Sequence, residues 1–88
     1  MRIWFKVFSD TRLVKTETIE NYELDTRTHK VMDALAEACV KFDLAQPIWL
    51  ETNIKEFQKK SRTRFRQANF IEEIDFDYME MQVLEEDY

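Results

Sequence analysis

The sequence predicts an α+β fold: a mainly antiparallel sheet of three or four strands, one long helix packed on a face, and a short second helix. Three observations carry that prediction. Residues 2–8 and 12–20 are strand-like runs joined by a turn. Residues 26–44 repeat apolar side chains at helical spacing. The C-terminal third returns to aromatic and β-branched side chains. The chain has 88 residues, 44% hydrophobic and 35% charged, the balance of a single soluble domain spanning 1–88. A chain of this size buries roughly 60–65% of its unfolded surface, enough for one modest core.

Residues 2–8 are rich in aromatic and β-branched types. Ile3, Phe5 and Val7 point to one face, and Trp4 and Phe8 point to the other beside Lys6. Apolar groups on both faces predict a central strand whose second face is partly covered. Ser9-Asp10-Thr11 is a turn without glycine, in which Asp and Ser can bond the local backbone. Residues 12–20 set Thr and Glu among Leu13, Val14 and Ile19, polar enough for an edge strand.

The helix is predicted from Thr26 to about Leu44, with Asp25 as N-cap. At 100° per residue, Val31, Met32, Leu35, Ala38, Cys39 and Phe42 form one stripe. Lys30, Asp33, Glu37 and Lys41 lie opposite, with Glu37 and Lys41 at i,i+4 spacing. Pro47 marks the stop. Pro47-Ile48-Trp49-Leu50 reads as a short strand or packed connector. Asn53 with Glu56 three residues on resembles a capping box, opening a short helix through about Lys60 with Ile54 and Phe57 as its anchors. Residues 61–70 read as extended or irregular. Residues 71–85 read as the last and longest strand. There Ile74, Phe76 and Tyr78 share one phase and Met79, Met81 and Val83 the other, which predicts a bulge, strong twist or two buried faces. Glu85-Glu86-Asp87-Tyr88 reads as a solvated acidic tail.

Several function classes fall away. The chain has no glycine, so the phosphate-cradling loop and the dinucleotide fingerprint are absent. One cysteine and one histidine exclude disulfides and cysteine- or histidine-rich metal sites. No apolar run approaches the roughly 20 residues that span a bilayer. The apolar start Ile3–Phe8 is too short for a signal peptide and is interrupted by Lys6. His29 and Cys39 are ten residues apart on one helix, too far for a dyad, and both read as structural. Ser9 and Ser61 lack the glycine elbow that exposes a hydrolase serine. No catalytic residue, cofactor or small-molecule site is predicted.

Charge is the strongest remaining feature. The net charge is −5, unevenly spread. Residues 55–66 hold Lys55, Lys59, Lys60, Arg62, Arg64 and Arg66 against Glu56 alone, and after Arg66 come eight acids and no base. Cations interleaved with Phe57 and Phe65 suit single-stranded nucleic acid, with Lys59, Lys60, Arg62, Arg64 and Arg66 as the patch. The simpler expectation is that these arginines pair across strands with the acids of residues 72–80. Asp75 and Asp77, alternating on a strand face near Glu72, Glu73 and Glu80, would suit magnesium, manganese or calcium, although a solvated face or pairing with arginines is the simpler expectation.

The stretch Asp25-Thr-Arg-Thr-His29, the run Gln46-Pro-Ile-Trp-Leu50 and the segment Asn69-Phe-Ile-Glu-Glu-Ile-Asp-Phe-Asp-Tyr78 resemble a group of short uncharacterised bacterial proteins. The resemblance spans nearly the whole chain and brings no activity or ligand with it. The free cysteine and missing leader suggest a reducing cytoplasm. The leading expectation is a small, acidic, non-catalytic cytoplasmic interaction or accessory protein. Trp4, Phe8, Met79, Met81 and Val83 would form a surface for a protein partner or a second copy of the chain. Nucleic-acid binding through the basic block is the alternative, a divalent-cation site at Asp75 and Asp77 the third, and no membrane role is expected.

Overall fold

The first two strands, β1 (Arg2–Ser9) and β2 (Arg12–Glu20), form a hairpin whose two-residue loop places Asp10 at φ 50° and Thr11 at φ 65°. Both loop residues are left-handed, the arrangement whose twist matches that of the strands. Glycine normally supplies it; here side chains hold it. Asp77 Oδ2 accepts from the Asp10 N–H at 2.9 Å, and the Asp77 N–H donates to the Phe8 carbonyl at 2.9 Å. The computed structural model describes residues 1–87. After the hairpin come α1 (Arg27–Phe42), α2 (Glu51–Lys60), β3 (Arg62–Phe65), a 3₁₀ turn at Gln67–Asn69 and β4 (Tyr78–Glu85). The four strands form one antiparallel sheet in the order β2-β1-β4-β3, with the longer and the shorter helix packed on it.

Both helices lie on the face that carries Ile3, Phe5 and Val7. Register sets Val83, Met81 and Met79 opposite these three, so that face of β1 and β4 is continuous apolar surface. Val31, Ala34, Leu35, Ala38, Cys39 and Phe42 from α1 close on it, with Phe57 from α2 and Phe65 from β3. Met79 and Met81 are 0% exposed. They are therefore core, and Val83 packs against the core. None of the three shares a surface with Trp4 and Phe8, because the pairing register puts them in the opposite phase.

Several local expectations move. Thr26, not Asp25, is the N-cap of α1: Thr26 Oγ1 accepts from the His29 N–H at 3.2 Å. Asp25 sits one residue earlier, bonded to the Thr26 N–H at 2.7 Å and to His29 Nδ1 at 3.0 Å. The Thr26 N–H, then His29, hold the Asp25 carboxyl below its ordinary value. The helix stops at left-handed Asp43 (φ 57°), well before Pro47. Met32 lies at the stripe's exposed margin, while Lys30, predicted on the outer face, is buried and reaches Asp87 at 2.7 Å. Lys41 pairs with Glu17 of β2 at 3.1 Å rather than with Glu37.

Residues 44–50 are a connector, with Trp49 edge-on to Phe57 and Phe65. The short helix begins two residues before Asn53. Asn53 does not cap it from outside but sits in its first turn and accepts from the Leu50 N–H at 3.1 Å. Its amide donates to Thr63 Oγ1 and to the Arg64 carbonyl, each at 2.9 Å, and accepts from Asn69 Nδ2 at 2.6 Å. Asn69 in turn donates to the Ile48 carbonyl at 2.8 Å and accepts from the Arg66 N–H at 2.9 Å. This fully bonded pair of buried amides ties connector, helix, edge strand and 3₁₀ turn together.

The last strand is shorter than predicted. Residues 70–77 are irregular, and Phe70 and Phe76 fold inward against each other. The change of hydrophobic phase before Met79 marks the start of β4 rather than a bulge within one long strand. The acidic end is exposed but anchored: Glu85 closes β4, Glu86 pairs with Arg27 at 2.8 Å, and Asp87 bridges Lys30 and the Met1 amine. Tyr88 lies outside the described residues.

Candidate functional site: the open face of the sheet

Because both helices occupy one face, the other is left to the alternate residues of the same strands. Cross-strand register arranges them in rows. One row reads Thr18, Trp4, Gln82, Arg62. The next reads Thr16, Lys6, Glu80, Arg64. The third sets Leu13, Phe8 and Tyr78 side by side, with Arg66 reaching over Tyr78.

Glu80 is the centre of the second row. It is bonded by Lys6 Nζ at 2.8 Å from one neighbouring strand and by Arg64 Nε at 3.2 Å from the other. Burial pushes its carboxyl up, but the bonds from Lys6 and Arg64 outweigh this and hold it below its ordinary value. One carboxylate thus serves two cations, and the row keeps a net positive charge. Around it lie three half-buried rings. Phe8 and Tyr78 stack with centroids 5.1 Å apart. Lys6 Nζ stands 3.9 Å from the Trp4 ring centre, and the Arg64 and Arg66 guanidiniums stand 4.5 and 5.2 Å from that of Tyr78. Trp4 Nε1 donates to Thr16 Oγ1 at 2.7 Å. Arg2 completes the face beside Glu20 and Glu85. Among the described residues, Arg62 and Arg66 have no carboxylate partner within 4 Å.

The structure splits both sequence-predicted surfaces. Trp4 and Phe8 are on this face, whereas Met79, Met81 and Val83 are on the other. Arg62, Arg64 and Arg66 are on it or at its rim, whereas Lys59 and Lys60 are exposed in the last turn of α2, on the helix side. Lys6, Tyr78 and Glu80 join the site; the sequence names none of them as part of this surface, Tyr78 and Glu80 because alternation alone gives β4 the wrong phase relative to β1. The usable signal was Lys6: a charge in the phase of Trp4 and Phe8 says that this face is wet.

Other candidate groups are spent or scattered. Asp75 and Asp77 lie in the irregular segment before β4, not on a strand face, and the Asp77 carboxylate bonds the hairpin turn. Glu72, Glu73 and Asp75 line a hollow of about 430 Å³ with Asp43 at the end of α1. Among the described residues, no group of three or more His, Cys, Asp or Glu is placed to hold a metal ion. Cys39 is buried, and burial pushes its thiol up to about 11. Ser61 occupies the left-handed C-cap of α2 within 3.4 Å of Arg27. An apolar groove of about 350 Å³ runs between the helices along Val31, Met32, Trp49, Ile54 and Phe57. Trp49 Nε1 is buried there without a partner among the described residues. No described helix is long and apolar enough to cross a membrane. In comparison with known proteins, no family model, curated protein or solved structure matches this chain.

Proposed function

We propose that the protein is a small, non-catalytic binding module of the cytoplasm that works through the open sheet face. One observation carries the reading: in a chain of net charge −5, this face gathers three aromatic rings and the cations Arg2, Lys6, Arg62, Arg64 and Arg66 against the carboxylates Glu20, Glu80 and Glu85. Rings with cations held above them, flanked by exposed Leu13, have the chemistry of binding surfaces rather than of a merely solvated sheet. The free, buried thiol suits a reducing compartment.

The test is a photo-crosslinking amino acid placed at Thr18, on the open face, or at Glu37, on the outer side of α1. In cells expressing the protein, irradiation is expected to give adducts from position 18 and few from position 37. Nuclease and protease digestion then show what was captured. Equal yields from both positions, or none from position 18, overturn the reading.

A further inference from the structure

The chemistry of the open face and the placement of the acids around it narrow its occupant. From the sequence, eight carboxylates following Arg66 would repel a polyanion. In the structure all of them but Glu80 and Glu85 leave the face. Glu72, Glu73 and Asp75 lie by the C-terminal end of α1, on the helix side. Asp77 is bonded to the turn of the hairpin. Glu85, Glu86 and Asp87 pair with Arg2, Arg27 and Lys30 at the far end of β4. Glu80 alone stays in the middle, and two cations neutralise it. The remaining positive charge lines the β3 edge, where Arg62, Arg64 and Arg66 follow one another at alternate positions.

The rings sit on the two central strands beside that edge. Phe8 and Tyr78 adjoin, and Trp4 is four residues from Phe8, about 13 Å along the strand at roughly 3.3 Å per residue. We propose that this face binds single-stranded nucleic acid, with bases stacked on Trp4, Phe8 and Tyr78 in place of the cations now over Trp4 and Tyr78, and with phosphates held by Arg62, Arg64 and Arg66. The proposal rests on the reading of the open face as the binding surface and names its partner class. Aromatic faces accept any base and cations any phosphate, so recognition is of strand chemistry rather than of sequence, over roughly two to three bases. A second copy of the chain fits less well, since a two-fold contact would set this cationic face against itself. A duplex fits less well too: four strands at about 4.8 Å spacing are about 14 Å across, against roughly 12 Å for the major groove.

Fluorescence anisotropy with a labelled oligothymidylate of about ten nucleotides tests this directly. The wild type is expected to bind with a Kd in roughly the micromolar range at about 50 mM salt, and log K is expected to fall against log salt with a slope near −2, about −0.7 for each of the three arginine contacts. The same sequence as a duplex is expected to bind at least about tenfold more weakly. The double change R62A/R66A is expected to cost at least about tenfold and to flatten the slope to about −0.7. Trp4→Leu is expected to cost about tenfold. K59A/K60A, off the face, is expected to stay within about twofold. If Trp4→Leu fails to fold, R62A/R66A decides alone, because it leaves the core untouched. No binding at low salt, binding indifferent to salt, an equal preference for duplex, or an equal loss from K59A/K60A overturns the proposal. If oligonucleotide binding fails but position 18 still crosslinks to protein, the partner class is wrong and the binding-module reading stands. If position 18 also gives no adduct, both fall.

Discussion

Alternate residues of β1 and β4 build two surfaces of opposite character from the same short strands. Ile3, Phe5, Val7, Met79 and Met81 meet the helices and are sealed. Trp4, Lys6, Phe8 and Tyr78 face away and remain partly open, with Glu80 buried beneath its two cations, although Trp4 and Phe8 are as apolar as their neighbours. The apolarity of the rings themselves does not distinguish the two faces. What does is the neighbour each ring receives from register: Phe5 is opposite Met81, whereas Trp4 and Phe8 flank Lys6, which is opposite Glu80. Polar groups follow the same division. Under the helices they are gathered into a closed amide pair, Asn53 with Asn69, whereas on the open face they form charged cross-strand rows.

The sharpest contrast between sealed and open sides is chemical reactivity. Cys39 lies in the centre of the helix stripe, and burial pushes its thiol from 9.0 to about 11. At mildly alkaline pH its thiolate population, and with it the labelling rate, is expected to fall about a hundredfold below that of the same thiol in denaturant. Labelling of the native protein at the denatured rate would mean that α1 does not seal its face.

Stability should divide the faces next. Phe5 is 0% exposed, and Phe5→Ala is expected to cost about 3–5 kcal/mol in denaturant melts through lost burial and a cavity. Phe8→Ala, three residues away on the open face, removes a stacked and half-buried ring and is expected to cost about 1–2 kcal/mol. Equal losses would show that something covers both faces.

This division explains which parts of the molecule were legible in its sequence. The fold class, the hairpin and the core stripe of α1 follow from periodicity, because burial on one side imposes it. The assignment of β4 failed for a physical reason. Register flips every side chain when it slips by one residue, and an inward-folded loop at Phe70 and Phe76 mimics strand alternation up to Tyr78. Lys30 was misplaced because its amphipathic stem can be buried when a carboxylate waits at the end, and Asp87 is 57 residues away in sequence. Half of the site, Trp4 and Phe8 with Arg62, Arg64 and Arg66, was readable from alternation. Its centre, Glu80 between Lys6 and Arg64, depends on the order β1-β4-β3, which local sequence does not encode.

That centre predicts a pH dependence that Glu80 brings to the open face. The folded-state pKa of Glu80 is depressed, so its contribution is fully present above the ordinary glutamate value and is lost as pH falls through and below about 4.5. Glu80→Gln is expected to cost about 1–3 kcal/mol at neutral pH, nearer the lower end because Arg64 is largely solvated. The gap between variant and wild type should narrow as pH drops below 4.5. A gap independent of pH would mean that Glu80 acts by packing alone.

The smallest expected effect is the most discriminating, because it separates the two arginines of β3. Arg64 and Arg62 are both exposed, alternate on one short strand and point to the same face. Arg64 bonds Glu80 at 3.2 Å and stands over Tyr78, whereas Arg62 is opposite Gln82, a neutral neighbour. Arg64→Ala is expected to lower stability by about 0.5–1 kcal/mol through a partly solvated ion pair and a ring contact. Arg62→Ala is expected to stay within about 0.5 kcal/mol of wild type, since it removes a cation that no described carboxylate pairs with. An arginine that contributes nothing to the fold is free to contribute to a complex. If Arg62→Ala proved as damaging to thermal stability as Arg64→Ala, Arg62 would belong to the ionic structure of the sheet, and the positive charge at this edge would no longer be in surplus.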